Sequence, residues 1–386
     1  MNNRVDFFQP EITDLAIPAG TAVVSVEGHV RGDLQPAEII RAGWPGFGRA
    51  ILVYRPTACG SAATAVEDIE RICPMGAGVR VDMVYEGIAG GDPRPYPLFV
   101  GRAEEIQMRL GDREETVEII ARDFSAELER TIVFGRCVAA GQATEFAEDL
   151  PTIFNSGQLG NASPSLVQHN GRAYRVFAAE GTIGRPWRCG EVIEYLLSEH
   201  LPAGCLGRPS LARLLALTGN AVMPDLDLTG RNLAEALWQC CRAAGVQFRL
   251  DTRDSESGPG QGIVFYRPGR GREVELNRQP SGQRLSLSKT NIAELQGRRQ
   301  RPAGGSRMSP GPSPAHESTV IERFDVRTLT LETDYQPGDR AVTGPDSRDV
   351  FSLRRDRRAI CHIETVRMDF AEQQTHLRIT HARTHP

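Results

Sequence analysis

Over the first 135 residues apolar and polar positions alternate with a period of two, the mark of strands that bury one face. Ala22–Gly28 reads as a short strand ending at glycine, and Ala50–Arg55 as a second stopped by Pro56. Val79, Val81, Met83 and Tyr85 alternate with Arg80, Asp82, Val84 and Glu86, which predicts a third. Gly87–Pro97, rich in Gly and Pro, reads as a loop; Leu98–Arg102 restarts a strand that runs toward Leu110. Gly111 and Asp112 begin a turn, and Val117, Ile119 and Ala121 lead to Asp123, so the order strand, turn, strand predicts a hairpin. Thr64–Cys73 carries Val66, Ile69 and Ile72 at helical spacing.

The pattern then changes. Residues 136–185 show little periodicity and read as an extended loop or arm, a length that inside compact domains is usually functional or interfacial. From Pro186-Trp187 a helix is predicted with Val192, Ile193, Leu196 and Leu197 on one face, ended by Pro202-Ala203-Gly204. Ser210 caps a second helix carrying Leu211, Leu214 and Leu215. Asp225–Leu228 reads as a short strand. Thr229 reads as the cap of a helix with Leu233, Leu237, Cys240 and Ala244 along one stripe, which Gly245 closes before a strand over Val246–Leu250. Two hairpin-like pieces surround Gly258–Gly262. A Pro/Gly-rich stretch over 298–318 reads as a mobile loop. Strand patterning resumes from Val320, with Leu329 and Leu331 on one side of a strand, a turn at Pro337–Arg340, and a last hairpin of Ile360–Phe370 and Gln374–Arg383. Thr375, Leu377, Ile379 and His381 share one face of it. The predicted fold class is α+β, mainly β. It has a first β domain over 1–135, the arm over 136–185, a small α/β insert over 186–255 and a second β domain over 256–386 that holds the mobile loop 298–318.

With 386 residues and 40% hydrophobic positions the chain can bury more than one core. Lys+Arg 45 against Asp+Glu 49 gives a net charge of -4, which excludes a protein held on nucleic acid by a global basic field. Lys289 is the only lysine, so lysine chemistry elsewhere is excluded. No apolar run approaches the roughly 18–20 residues of a membrane span, and Met1–Asp6 lacks a signal-peptide core, so manufacture in a reducing cytoplasm is expected.

The residues that could carry chemistry are few. There is no GxSxG nucleophile elbow and no HExxH pair among the eight histidines. The eight cysteines contain no CxxC and read as buried free thiols. Cys189, Cys205, Cys240 and Cys241 all fall in the insert, which leaves open an alternative reading as a metal- or iron–sulfur-containing protein or enzyme, with His200 near Cys189 and Cys205. Gly76-Ala77-Gly78 precedes a strand, the wrong order for a dinucleotide fold. Arg31-Gly32-Asp33 and Gly269-Arg270-Gly271 read as turns. Asp225 and Asp227 share one strand face and read as a solvated edge, and Arg298–Arg301 with Arg307 as a solvated run. No catalytic, cofactor or metal residue is assigned.

Several stretches resemble those of bacteriophage tail hub proteins. Leu98–Ile106 followed by Val117–Asp123 resembles a strand pair recurrent in the late-control D family, in baseplate hubs and in type VI secretion spikes. Asp227–Leu233 through Gly245-Val246 resembles their small insert. Pro337-Gly338-Asp339, Ile363–Val366 and Gln374–Ile379 resemble their closing barrel. The resemblance implies two tail-tube-like β-barrels flanking the insert, and a structural protein rather than an enzyme. It implies a homotrimer whose six barrels form a ring joining a sixfold tail tube to a threefold tip. Its expected partners are the distal tail protein, the tape-measure protein and tip or fibre proteins, with DNA only passing through the lumen. The expected place is the virion tail tip, after synthesis in the host bacterial cytoplasm. A second reading is a related injection-machine component, such as a secretion spike base or gene-transfer particle. No cofactor is implied, and lacking a lysozyme-like or β-helical extension the chain carries over no cell-wall cleavage.

Overall fold

Period-two alternation becomes antiparallel sheet in the computed structural model, which describes residues 20–54, 68–85, 94–110, 115–137, 145–147, 152–155, 166–169, 172–175, 186–202, 204–224, 226–252, 261–276, 292–300, 321–342 and 360–382. The chain divides into two compact units: 1–36 with 47–267, and 37–46 with 268–386.

The first unit contains β1 (Thr21–Val26), β2 (His29–Val30), the first residues of β3 (Leu34–Ala42), β4 (Arg49–Tyr54), β5 (Gly78–Tyr85), β6 (Arg94–Leu110) and β7 (Glu115–Arg122). The strands pair antiparallel in the order β4–β7–β6–β5–β1–β2. Register sets Ala50 against Ala121 and Leu52 against Ile119, so buried positions meet on one face. A short helix α1 (68–72) adds Ile69 and Ile72. The predicted β6–β7 hairpin is present, but β6 begins at Arg94, inside the stretch read as loop. Pro95 and Pro97 pair with Val84 and Asp82 of β5, and among the described residues no strand flanks their other side. Proline lacks an N–H and is tolerated on such an edge.

After α2 (Ser125–Arg130), the described parts of 136–185 hold strands that their shortness hid: β8 (Gly135–Cys137), β9 (Glu145–Ala147), β10 (Ile153–Phe154), β11 (Leu166–His169) and β12 (Arg172–Arg175). Four of these form the antiparallel sheet β11–β12–β8–β9. Segments of two to four residues show at most two alternations, too few for a period to register.

The insert contains α3 (Cys189–His200), α4 (Leu211–Thr218), β13 (Leu226–Asp227), α5 (Leu233–Ala244), β14 (Gln247–Asp251) and β15 (Gly262–Tyr266). Val192, Ile193, Leu196 and Leu197 of α3 are buried, as are Leu233, Leu237 and Cys240 of α5. Ser210 caps α4 by accepting from the Arg213 N–H, and Gly245 ends α5 at φ 66°. Two start points differ from expectation. Helix α3 begins after Arg188, whose N–H donates to Glu191 Oε2 at 2.9 Å. Asn232, not Thr229, caps α5, its Oδ1 accepting from the Glu235 N–H at 2.8 Å. Thr229 is occupied by Asp227, which accepts from both its N–H and its hydroxyl.

The second unit is built on residues 37–42 of β3 together with β16 (Glu273–Glu275), β17 (Ile292–Gln300), β18 (Ile321–Thr328), β19 (Arg340–Val342), β20 (Ile360–Asp369) and β21 (Gln374–Ala382). Its path is β17–β18–β21–β20–β3, all antiparallel. On one side β20 is shared: β19 pairs with Cys361 and His362, and β3 with Thr365–Asp369, on either side of an irregularity between Ile363 and Thr365. Phe324, Val326, Ile363, Val366, Met368, Leu377 and Ile379 form the core. Thr375 is also fully buried; its hydroxyl accepts from the Glu332 N–H and donates to the Glu332 carbonyl.

Three expectations change here. Residues 298–300, read as loop, pair with 321–323 inside β17, and 301–318 lie outside the described residues. The piece at β16 is no hairpin but pairs in parallel with β19. Leu329 and Leu331 lie beyond β18, because the Thr328 hydroxyl donates to the Thr330 carbonyl at 2.6 Å and turns the chain. Among the described residues neither strand path closes on itself, so the sheets are open there.

A fragment of 268–386 lacks residues 37–46 and should not unfold cooperatively in urea. Restoring that segment as a linked strand should bring the cooperative transition back. In the first unit, a Cβ on Gly101 would stand 2.1 Å from the Arg122 carbonyl oxygen and 2.6 Å from Phe99 Cζ. Gly101→Ala should therefore cost about 1–3 kcal/mol or more in urea denaturation, whereas Gly32→Ala, which meets nothing within 4 Å, should change little.

Candidate functional site

The insert cysteines carry the alternative reading. Cys189 opens α3, Cys240 and Cys241 lie in α5, and all three are fully buried. Burial pushes the Cys189 thiol up to about 11, the Cys240 thiol higher still and the Cys241 thiol well above its ordinary value, with further upward pressure on the last two from the neighbouring cysteines. Cys205 stands apart from that trio in its surroundings: burial raises it to about 11, and the charges it feels are Glu127 and Arg102. With no cation beside them, buried thiols of this kind pack as apolar core. Among the described residues these thiols form no group of three converging ligand atoms with His, Asp or Glu.

Alternation leaves the sheet of the second unit with a polar outer face. On β18, Asp325 and Arg327 point opposite to Phe324 and Val326; on β21, His376 and Arg378 point opposite to Leu377 and Ile379. Register carries this row across neighbouring strands, setting Arg327 and Arg367 beside His376 and Arg367 beside Ile40. The charges are knitted in pairs. Arg327 meets Glu294 at 3.2 Å, Arg378 meets Asp325 at 3.5 Å, and Arg367 bonds Glu38 and approaches Asp369 at 3.7 Å. A hollow of about 540 Å³ opens on this face, lined by Ile40, Thr365, Arg367, Glu372, His376 and others. Exposed pairs of this kind are worth about 0–1 kcal/mol each, so the pattern adds little to stability.

A second hollow, of about 420 Å³, lies in the first unit where β6 and β7 meet α2. Arg102 and Arg122 face each other in register across the strands. Arg122 pairs with Glu129 at 2.6 Å and stacks over Phe47, while Arg102 lies 5.7 Å from the Phe124 ring centroid. Asp123, 7% exposed, closes this end of the sheet. Its Oδ2 accepts from the Gly48 N–H at 2.8 Å, and its Oδ1 accepts from the N–H and hydroxyl of Ser125. Burial pushes its carboxyl up to about 6, against the pull of the Ser125 and Gly48 hydrogen bonds and of Arg122.

Of the residues singled out in sequence, Arg31–Asp33 and Gly269–Gly271 lie in turns and bends, and Gly76–Gly78 leads into β5. Asp227 is used by Thr229. Asp225, Arg301 and Arg307 lie outside the described residues. The face of the second unit was not foreseen as a site. Its signal was the polar half of each alternating strand, together with the Asp-x-x-Glu-x-x-x-His spacing around the last turn, Asp369, Glu372 and His376.

No protein-family model and no curated protein matches the chain. Among solved structures it is similar to the tail protein from Neisseria meningitidis MC58, at 10% identity and a TM-score of 0.50, over 93% of this chain and 96% of that one. It is also similar to a 43 kDa tail protein of prophage MuSo2 from Shewanella oneidensis, at 10% identity and a TM-score of 0.46, over 93% and 97%. A third is an E. coli component of the type VI secretion system, at 12% identity and a TM-score of 0.41, over 94% and 77%. The first likeness spans nearly all of both chains, so this chain shares the fold of that protein.

Asp123 generates a pH dependence. A free aspartate titrates near about 3.9. Between that value and about 6 the folded protein keeps a proton that the unfolded chain has released, so the stability Asp123 contributes is complete at the acid end and falls as pH rises. About two pK units correspond to roughly 3 kcal/mol. Asp123→Asn carries no charge. Urea midpoints of the wild type relative to this variant should therefore worsen from about pH 4 to about pH 7, on top of a constant offset from the lost Gly48 acceptor. A difference that stays flat with pH would show that Asp123 does not titrate there.

Proposed function

We propose that this chain is a structural hub protein of a bacteriophage or prophage tail, non-catalytic, acting as a homotrimer in the baseplate at the tail tip. The observation that carries the reading is the full-length likeness of fold to a tail protein. In this reading the β domains expected over 1–135 and 256–386 are the two tube-like domains, each closing into a barrel, with 37–46 serving the second, 186–255 is the small insert, and 136–185 reaches neighbouring tail proteins. Three copies supply six such domains, which suits a ring between a sixfold tube and a threefold tip. The distal tail protein, the tape-measure protein and tip or fibre proteins are its neighbours, and DNA passes through the lumen at ejection. The chain is made in the host cytoplasm and ends in the virion.

Two features support the assembly. Among the described residues β17 has one partner strand, β18, and an open edge of this kind is a template for pairing with another chain. The paired charges of the second unit leave no unbalanced positive field: Glu38, Glu294, Asp325, Asp369 and Glu372 outnumber Arg327, Arg367 and Arg378. Such a surface does not hold a passing polyanion.

Light scattering on the purified full-length chain should give the mass of a trimer, and negative-stain images should show a threefold ring with a central hole. A protein that stays monomeric at micromolar concentration, with no ring in images, overturns the proposal.

A further inference from the structure

The turn between β20 and β21 brings together three side chains, two of which the hub reading uses only as surface charge. Asp369 ends β20, Glu372 lies in the turn, and His376 is on β21. One ligand atom from each lies within 4.8 Å of the others. We propose that these three residues form a binding site for a divalent transition-metal ion of the zinc class.

The imidazole provides the observation that carboxylates alone would not. His376 Nε2 is shut off from solvent and has no hydrogen-bond partner, although the side chain as a whole is 33% exposed. A polar atom without a partner in that position costs free energy unless something binds it. Glu372 Oε2 is 3.8 Å away, too far to be that partner by hydrogen bonding. Two ligands of one tetrahedral zinc ion, at about 2.0–2.2 Å each, stand about 3.4 Å apart, so closing this separation by a few tenths of an ångström brings both onto one ion.

Asp369 is held ready. Its Oδ1 accepts from the N–H groups of Ala371 and Glu372 at 3.0 and 2.9 Å, which fixes the carboxylate and the backbone that carries Glu372. Gln373, at φ 53°, completes the tight return that places His376 across from Arg367. That guanidinium opposes a cation, and Glu38, bonded to it, offsets the charge. One nitrogen and two carboxylate ligands suit a borderline ion such as Zn²⁺ or Co²⁺, whereas Ca²⁺ and Mg²⁺ favour oxygen alone. Three protein ligands leave a further position open, and Glu372 and His376 both line the 540 Å³ hollow.

Calorimetric titration of the full-length protein with Zn²⁺, and separately with Co²⁺, should show saturable binding of a single ion. His376→Gln and Glu372→Gln should each weaken it by at least about 10-fold, while leaving metal-free thermal melting within the range of the wild type. The Co²⁺ complex should absorb as a nitrogen- and oxygen-ligated ion, without thiolate charge-transfer bands. Absence of saturable binding overturns the proposal. So does affinity that both variants retain, and so do thiolate bands, which would move the ion to cysteine.

Discussion

Strand β3 is the constraint on which the second unit depends. Residues 37–46 lie in that unit although the chain around them belongs to the first. Their pairing with β20 joins positions more than three hundred residues apart, and the Glu38–Arg367 ion pair, separated by 329 residues, marks the seam. A contact that remote costs loop-closure entropy, which grows only slowly with length, and several backbone hydrogen bonds with burial of Ile39 and Met368 can offset it. The unit is therefore discontinuous in sequence.

The same alternation that builds the cores also prepares the surfaces. Burying Phe324, Val326, Leu377 and Ile379 obliges Asp325, Arg327, His376 and Arg378 to face away. Register then decides which of those polar residues become neighbours. Arg367 faces His376 because β20 and β21 pair as they do, and a slip of β21 by one residue would turn His376 to the core. The charged face is thus a consequence of the core and is set with the same precision.

Irregular points show where local geometry is closest to its limits. Gly101 sits where β6 passes against the Arg122 backbone, with no room for a side chain. Beside it Asp123 ties the start of β4 to the end of β7 through Gly48 while holding Ser125. Both lie in the stretches that resemble tail hub strands. Their physical reasons, close backbone approach and a buried carboxylate clamp, belong to the hairpin itself and hold without any appeal to relatives.

The sequence by itself determined the strand character of both ends, the β6–β7 and β20–β21 hairpins, the helices α3, α4 and α5 with their buried stripes, and the buried state of Cys73, Cys189, Cys240, Cys241 and Cys361. These depend on periodicity, caps and turns, all of them local. Only the tertiary structure decided that β3 serves the second unit, that β16 pairs in parallel with β19, that Asn232 rather than Thr229 caps α5, and that Asp369, Glu372 and His376 converge. Each of these is a choice among partners that look equally suitable along the chain, and the choice is made by register and packing, which do not exist until the strands have met.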